Sequence, residues 1–421
     1  MLYFENNVNI LSSEEYQSPK NAVVYLNPKL SVNRELVFEV LNAFCSSSEN
    51  PVECLDAFSA SGLCALQWKK NLPLKTIVTA VDMKDDSIER IRVNCKMNDI
   101  GVVTNTISNL KDDINEYNNS ITVIKSNVNV IMHLKSFDFI HMDPFGSTSP
   151  YLDSAFKNLR NNGILVLTST DIASLLTRNP NTVLRNYGAK VLKTEYVKEL
   201  AIRTVIAGAA RSAAKCNKGF KVILSVTDRN YIFIALEIKR GSSFANDTLL
   251  KVSELLHCRI CEERAWYPSD KLAPIVDPYA NLLQCNCHET TAGKTGVKLG
   301  PFWNGSLCDY DLVEKIINGE NFQHRSKEFQ SIMRLIYAEI TAFKVECESV
   351  NERPDFEIPS FYYFLKNMNV GNRWPKFEKV ITFIRSQGFL ASRTQFDPDA
   401  IRTNATLGQM KEIIYKMINN K

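Results

Sequence analysis

The run Phe137-Asp138-Phe139-Ile140-His141-Met142-Asp143-Pro144-Phe145-Gly146 carries the most readable chemistry. An apolar stretch leads straight into Asp-Pro-Phe-Gly. The exocyclic amine of a nucleobase is a poor nucleophile, because its lone pair is conjugated with the ring. An acceptor must hold that amine and take its proton, and Asp143 can do both. Pro144 fixes the turn through its restricted φ. Phe145 can stack on a base, at about 1–3 kcal/mol per base. Gly146 lets a ligand approach the backbone closely. The alternative reading is an ordinary Asp-Pro turn beside a core Phe.

A second run, Leu55-Asp56-Ala57-Phe58-Ser59-Ala60-Ser61-Gly62, ends one apolar strand and opens a helix. Small residues at such a turn admit a ligand close to the backbone. Twenty residues after Gly62, Asp82 ends the next strand, where a carboxylate can accept from ribose hydroxyls. One glycine rather than three argues against a phosphate-cradling loop. A nucleoside without pyrophosphate fits better, and S-adenosylmethionine is the common one. A plain strand–turn–helix is the competing explanation.

Four of the eleven cysteines cluster as Cys258-x-x-Cys261 and Cys285-x-Cys287-His288, with 23 residues between the pairs. Two close pairs across a loop suit tetrahedral Zn²⁺ held by thiolates. The second pair is either Cys285 with Cys287 or Cys285 with His288. A structural zinc is expected rather than a catalytic one; buried free thiols are the alternative. The other seven cysteines are scattered singly, as expected for a reducing compartment.

These residues need elements to carry them. Strand-like runs recur between Val52 and Ile238: VECLDAF, TIVTAVD, FDFIHMD, GILVLTST, KVILSV and YIFIALEI. Between them lie helix-like stretches at Gly62–Asn71, Ser87–Asn98 and Leu152–Asn161. Such alternation predicts a mostly parallel sheet covered on both faces. The last two strands have no helix between them and read as a hairpin. The pattern breaks at Arg240-Gly241-Ser242-Ser243, which predicts domains at 1–241 and 242–421. Residues 311–347 look helical, Glu348–Pro359 reads as a linker, and 360–421 reads as a small α/β module.

The net charge of +4 conceals an uneven distribution. Residues 1–150 hold 13 Lys and Arg against 18 Asp and Glu, and 151–240 hold 15 against 6. Residues 241–359 hold 12 against 18, and 360–421 hold 10 against 4. Two basic segments fit a polyanion gripped by two parts of the chain; chance variation on a solvated surface is the alternative. Named cations of the first segment include Arg178, Arg185, Lys190, Lys193, Arg203 and Lys218. Those of the tail include Arg373, Lys376, Lys379 and Arg402, interleaved with Tyr362, Trp374 and Phe396. No apolar run approaches the roughly 20 residues of a membrane span, and the first residues show no secretory or transit pattern. A nuclear or cytoplasmic location is expected, with a mitochondrial one open.

The chain resembles the tRNA guanine-26 N2-dimethyltransferases, and particularly their animal dimethyltransferase-like paralogues. The resemblance rests on Val24-Tyr25-Leu26-Asn27-Pro28 with Asn33-Arg34, then LDAFSASGL, DPFGSTSPYLDSA, TSTDIASL and TEYVKELAIR. It continues through CNKGFKVILS, LGPFW and GFLASRTQFDP. It implies a Rossmann-like class I S-adenosylmethionine-dependent methyltransferase domain with a smaller zinc-bearing, tRNA-binding α/β domain. The implied activity is N2-methylation, with dimethylation expected, of a guanosine in tRNA, at position 26. Carried over, Arg34 and Asp82 match cofactor contacts, Asp143 the catalytic carboxylate and Phe145 the stacking position. Asp56, Ser61 and Gly62 belong to the same pocket. The chain departs from the family where Cys64 replaces an Arg and where Asn127-Val128 replaces the Asp-Ala that contacts adenine. In the tail, Gln395 replaces a His and Asn404 an Asp.

Two rivals follow. A catalytically silent RNA-binding paralogue, acting as a chaperone or scaffold, is suggested by Asn127 and the tail changes and opposed by the intact Asp143–Gly146. An amine methyltransferase acting on DNA adenine fits the motif order but not the cysteine cluster or the tail.

Overall fold

The computed structural model describes residues 2–11, 26–104, 119–268, 278–283, 285–287, 295–345, 355–356, 358–368 and 376–419. Contacts divide the chain into two compact units. The first comprises Met1–Ile172, Gly208–Leu249 and Leu307–Phe329; the second comprises Ala173–Ala207, Leu250–Ser306 and Gln330–Lys421. The units therefore interleave in sequence, which a single boundary near residue 241 does not express.

The first unit opens with a hairpin of β1 (Leu2–Glu5) and β2 (Val8–Leu11). Asn6 and Asn7 turn it at φ of 47° and 65°, a left-handed pair that Asn tolerates and that matches the twist of a two-residue hairpin. Helix α1 (Ser31–Ser46) follows. An eight-stranded sheet is then built from β3 (Val52–Asp56), β4 (Thr76–Asp82), β5 (Gly101–Thr104) and β6 (Ser120–Lys125). Its other half is β7 (Phe137–Met142), β8 (Leu159–Ser169), β9 (Lys218–Thr227) and β10 (Ile232–Arg240). The order is β5-β6-β4-β3-β7-β8-β10-β9. The pairs from β5 to β8 are parallel. β10 runs antiparallel to both β8 and β9, so the last two strands are the expected hairpin. The central strands are buried almost throughout, because helices cover both faces of a parallel sheet.

From β3 the chain moves outward to β4 on one side and later returns to β7 on the other. The carboxyl ends of β3 and β7 thus flank a topological switch point, where open α/β sheets bind ligands. Helices α2 (Leu63–Asn71), α3 (Asp85–Met97), α4 (Val128–Leu134) and α5 (Leu152–Asn158) follow β3, β4, β6 and β7. Helix α5 stops three residues earlier than its sequence pattern suggests. Lys218, itself buried, donates to the carbonyls of Phe156, Lys157 and Leu159. Those carbonyls are capped there, and Leu159 starts β8 opposite Phe137.

The second unit contains a three-stranded sheet of Val252–Cys258 between Arg264–Trp266 and Gly296–Trp303. Its C-terminal part is a sheet of Tyr363–Phe364, Asp397–Thr403 and Ala391–Thr394, packed by helices Phe377–Ser386 and Leu407–Asn419. Val380, Ile384, Ile401, Met410 and Ile414 form its core, so the tail is a small α/β module, as its pattern predicts.

Some cations expected on a polyanion-binding surface lie inside instead. Glu199 is fully buried between Arg203 and Arg402. Arg203 donates to it at 2.7 and 2.9 Å and to the carbonyl of Trp303 at 2.8 Å. Arg402 donates to Glu199 at 2.9 Å, to Glu339, and to the carbonyls of Pro359 and Phe361. Burial works against the Glu199 charge, but the two guanidinium groups hold its carboxyl below the usual range. Tyr362 and Phe396 stack on each other with centroids 5.7 Å apart and are likewise buried. Arg373 and Trp374 lie outside the described residues. Removing one partner leaves a buried charge without compensation, at about 3–5 kcal/mol. Arg402→Ala is therefore expected to lower the unfolding free energy by about that amount, measured by denaturant titration.

Candidate active site

A cavity of about 470 Å³ opens in the first unit at the carboxyl ends of β3, β4 and β7. Its walls include Arg34, Asp56, Ser61, Cys64, Asp82, Asn127, Val128, Asp143 and Phe145. Nine of the residues expected at the site therefore converge, although they span more than a hundred positions in sequence.

The loop after β3 is shaped by its own hydrogen bonds. Ser59 Oγ donates to the Asp56 carbonyl at 2.8 Å and accepts from the Val81 amide at 3.1 Å. The Gly62 amide returns to the Ser59 carbonyl. Gly62 sits at φ +80°, and a Cβ there would lie 3.1 Å from Ile91 of α3; both conditions call for glycine. Asp82 joins two loops, since its oxygens accept from the amides of Ala60 at 3.0 Å and Lys84 at 2.9 Å. Each oxygen keeps a lone pair for a further donor.

Arg34 reaches the cavity but is already engaged. Its Nε and Nη2 donate to the Glu5 carboxylate at 2.7 and 2.6 Å, and its Nη1 to the Asn27 carbonyl at 3.1 Å. Glu5 also accepts from Tyr3 at 2.6 Å and Gln67 at 2.9 Å. Burial opposes the Glu5 charge, yet Arg34 outweighs it and holds the carboxyl low. The β1–β2 hairpin places Glu5 there. Asn94 of α3 and Asn98 just after it hold the hairpin by accepting from the Leu11 and Asn9 amides at 2.9 and 3.0 Å. Asn94 also donates to the Ser61 carbonyl at 2.8 Å, so one side chain ties the hairpin to the loop after β3.

Asn127 caps α4, accepting from the Asn129 amide through Oδ1 at 2.9 Å. Val128 is buried at the first turn. Burial and the facing Asp56 push the Cys64 thiol well up, so it stays protonated.

Asp143 follows the last residue of β7. Burial pushes its carboxyl up to about 6; His141 and Arg34 pull it down, and Asp56 adds to the rise. Pro144 is buried behind it, and Phe145 is 59% exposed at the mouth. Gly146, at φ +95°, donates its amide to Thr170 Oγ1 at 2.8 Å, and its carbonyl accepts from the Thr170 amide at 3.0 Å. Thr170 thereby pins the Asp-Pro-Phe-Gly turn from the end of β8.

Sequence reasoning passed over His141, Phe58, Tyr151 and Asn230, which also line the cavity. His141 precedes Asp143 by two, the period that returns a strand to the same face, so its pattern was available. Phe58 and Tyr151 meet edge to face at 4.8 Å. Glu5, 29 residues from Arg34, leaves no local trace.

In the second unit, the Sγ atoms of Cys258, Cys261, Cys285 and Cys287 lie within 4.8 Å of one another. The alternative ligand His288 lies outside the described residues.

Residues 6–415 match the family profile described as N2,N2-dimethylguanosine tRNA methyltransferase. The chain belongs to this family. A human relative, named tRNA (guanine(27)-N(2))-dimethyltransferase, is 36% identical over 453 residues, covering 95% of this chain and 61% of its own length. The chain thus spans about three fifths of that relative. An archaeal relative from Methanobrevibacter smithii, named tRNA (guanine(26)-N(2))-dimethyltransferase, is 28% identical, covering 94% of this chain and 92% of its own length. The solved structure of Trm1 from Pyrococcus horikoshii with S-adenosyl-L-methionine superposes with a TM-score of 0.76. It is 24% identical and covers 98% of this chain and 99% of that one, so the two share a fold.

The raised Asp143 carboxyl has a stability consequence. The folded state holds this proton up to about pH 6, whereas an unfolded aspartate releases it near its ordinary value of about 3.9. Stability therefore falls as pH rises between those values. Asp143→Asn removes the penalty. It is expected to unfold at higher denaturant than the parent above about pH 6, by on the order of 3 kcal/mol, and to gain nothing near pH 4. Denaturant titrations at both ends of that window measure the difference.

Proposed function

We propose that the chain catalyses S-adenosylmethionine-dependent N2-dimethylation of a guanosine in tRNA. The observation that carries this reading is a carboxylate, Asp143, raised by burial and set beside a stackable Phe145 at one cavity. The cavity also has unspent buried acceptors. Asp56 Oδ2 and His141 Nε2 find no hydrogen-bond partner among the described residues, as expected of walls awaiting a polar ligand.

The residues present suit the cofactor. Asp82 would accept from its ribose hydroxyls, Asn127 would offer Nδ2 to its adenine edge, and Asp56 would face its ammonium. When bound, S-adenosylmethionine supplies a methyl group on a sulfonium. The chain's own residues do the rest. Phe145 stacks the target base, Asp143 accepts from the N2 amine and takes its proton, and the Thr170 clamp keeps both on one rigid turn. A guanine stacked within tRNA must leave its stack to reach them. Arg178, Arg185, Lys190 and Lys193 are exposed and suit phosphate contacts, which position RNA rather than read it.

The sequence resemblance suggests position 26. Relatives of 34–36% identity carry the name guanine-27, and those of 27–28% identity carry guanine-26. Guanosine 27 is therefore the first position to assay and guanosine 26 the second.

The four-cysteine cluster suits a structural zinc. A tetrahedral site with bonds of about 2.3 Å sets its sulfurs about 3.8 Å apart, compatible with the spread of these thiols. Four thiolates leave no open position for catalysis. One zinc per chain is expected by elemental analysis, with early unfolding after chelation or Cys258→Ser; a full complement of titratable thiols in untreated protein would refute it.

The activity test combines the chain, tRNA and labelled methyl donor. Transfer to guanine N2 is expected, falling by about 10²–10⁴ in Asp143→Ala. Phe145→Ala is expected to weaken tRNA use by about 1–3 kcal/mol. Cofactor binding with no transfer to any tRNA would favour the silent paralogue instead.

A further inference from the structure

We propose that His141, backed by Asp56, takes the proton that Asp143 collects and so readies Asp143 for a second methyl on the same nitrogen. This rests on the activity proposed above and deepens it. Two methylations remove two protons from one amine, yet Asp143 can hold only one. In a recessed cavity roofed by the target base, the acid must pass its proton on before it can accept again.

His141 is placed for that task. It stands two residues before Asp143 on the same strand face and lines the same cavity. It is only 2% exposed, with Nδ1 3.4 Å from Asp56 Oδ1. Across the sheet, Asp56 and His141 are register partners of β3 and β7. A histidine kept only for packing would have both ring nitrogens satisfied. Here Nε2 has no partner among the described residues, and neither does Asp56 Oδ2.

Several ionisable groups surround His141. Asp56 faces it from β3, and Asp143 acts on it from its own strand. Cys64 of α2 stays a thiol. Arg34 of α1 is cancelled by Glu5, and Lys84 stands exposed after β4. The edge of Trp68 covers the ring at 6.0 Å.

The step balances. As the N2–C bond forms, the S–CH₃ bond breaks and its electron pair stays on sulfur. The N2 proton passes to Asp143 and then, through one water, to His141 Nε2. Nδ1–H remains on Asp56, so the imidazolium sits against a carboxylate. Solvent takes the proton once the methylated base leaves the cavity.

His141→Asn keeps a donor near Asp56 and loses Nε2; His141→Gln is the second variant should the first not fold. Mono- and dimethylguanosine are quantified by mass spectrometry along a time course, with cofactor affinity titrated alongside. The ratio of the second transfer to the first should fall about tenfold or more, with recovery on adding imidazole. Nitrogen NMR of the unmodified chain without cofactor should report the Nδ1–H tautomer, with an Nε2 resonance that moves in Asp143→Asn. Equal slowing of both transfers, or an Nε2 resonance indifferent to Asp143, overturns the relay and leaves the activity standing. A parent chain that methylates no guanosine overturns the activity and the relay together.

Discussion

The parallel pairing of β3 with β7 is the constraint on which the site depends. Its register sets Asp56 opposite His141 and leaves Asp143 one step beyond the sheet. A shift by one residue would turn every side chain of the strand to the other face. It would bury Asp143 among helices and expose Ile140 or Met142 to the cavity. The apolar runs on both sides of the pairing, Cys54-Leu55 and Phe139-Ile140, are fully buried. At roughly 25 cal/mol per Å² of apolar surface, such burial strongly resists that slip. Core packing and catalytic geometry are thus one requirement here.

The Asp-Pro-Phe-Gly turn and the loop after β3 were legible as cavity walls because their signals are local. Asp-Pro-Phe-Gly at a strand end, and a lone glycine opening a helix, announce themselves within ten residues. The zinc-type spacing was legible for the same reason. What escaped was non-local. The pairing of Glu5 with Arg34 needs a hairpin held by Asn94 and Asn98, and nothing within Leu2–Leu11 points to α3. Arg402 and Arg203 read as surface cations because a composition count cannot see Glu199 between them. The interleaved units escaped too, since residues 173–207 and 307–329 carry no break in pattern at their edges.

Buried charges serve two ends in this chain. In the second unit, Glu199 with its arginines leaves few options for how helix Val197–Lys215 meets the C-terminal strands, because any other arrangement strands a charge. In the first unit, carboxylates at the cavity are left partly unspent. Asp56 and Asp143 share low-dielectric surroundings without a guanidinium of their own, and their mutual repulsion is part of what raises Asp143.

The β1–β2 hairpin decides the sign of that cavity. By engaging Arg34 through Glu5, it offsets part of the positive charge that acts on Asp143. The walls are left with more carboxylate than guanidinium character, which would favour a cationic donor over the same molecule with a neutral sulfur. A strand pair outside the cavity thereby sets how strongly its walls would prefer a sulfonium to the neutral thioether that a transfer would leave.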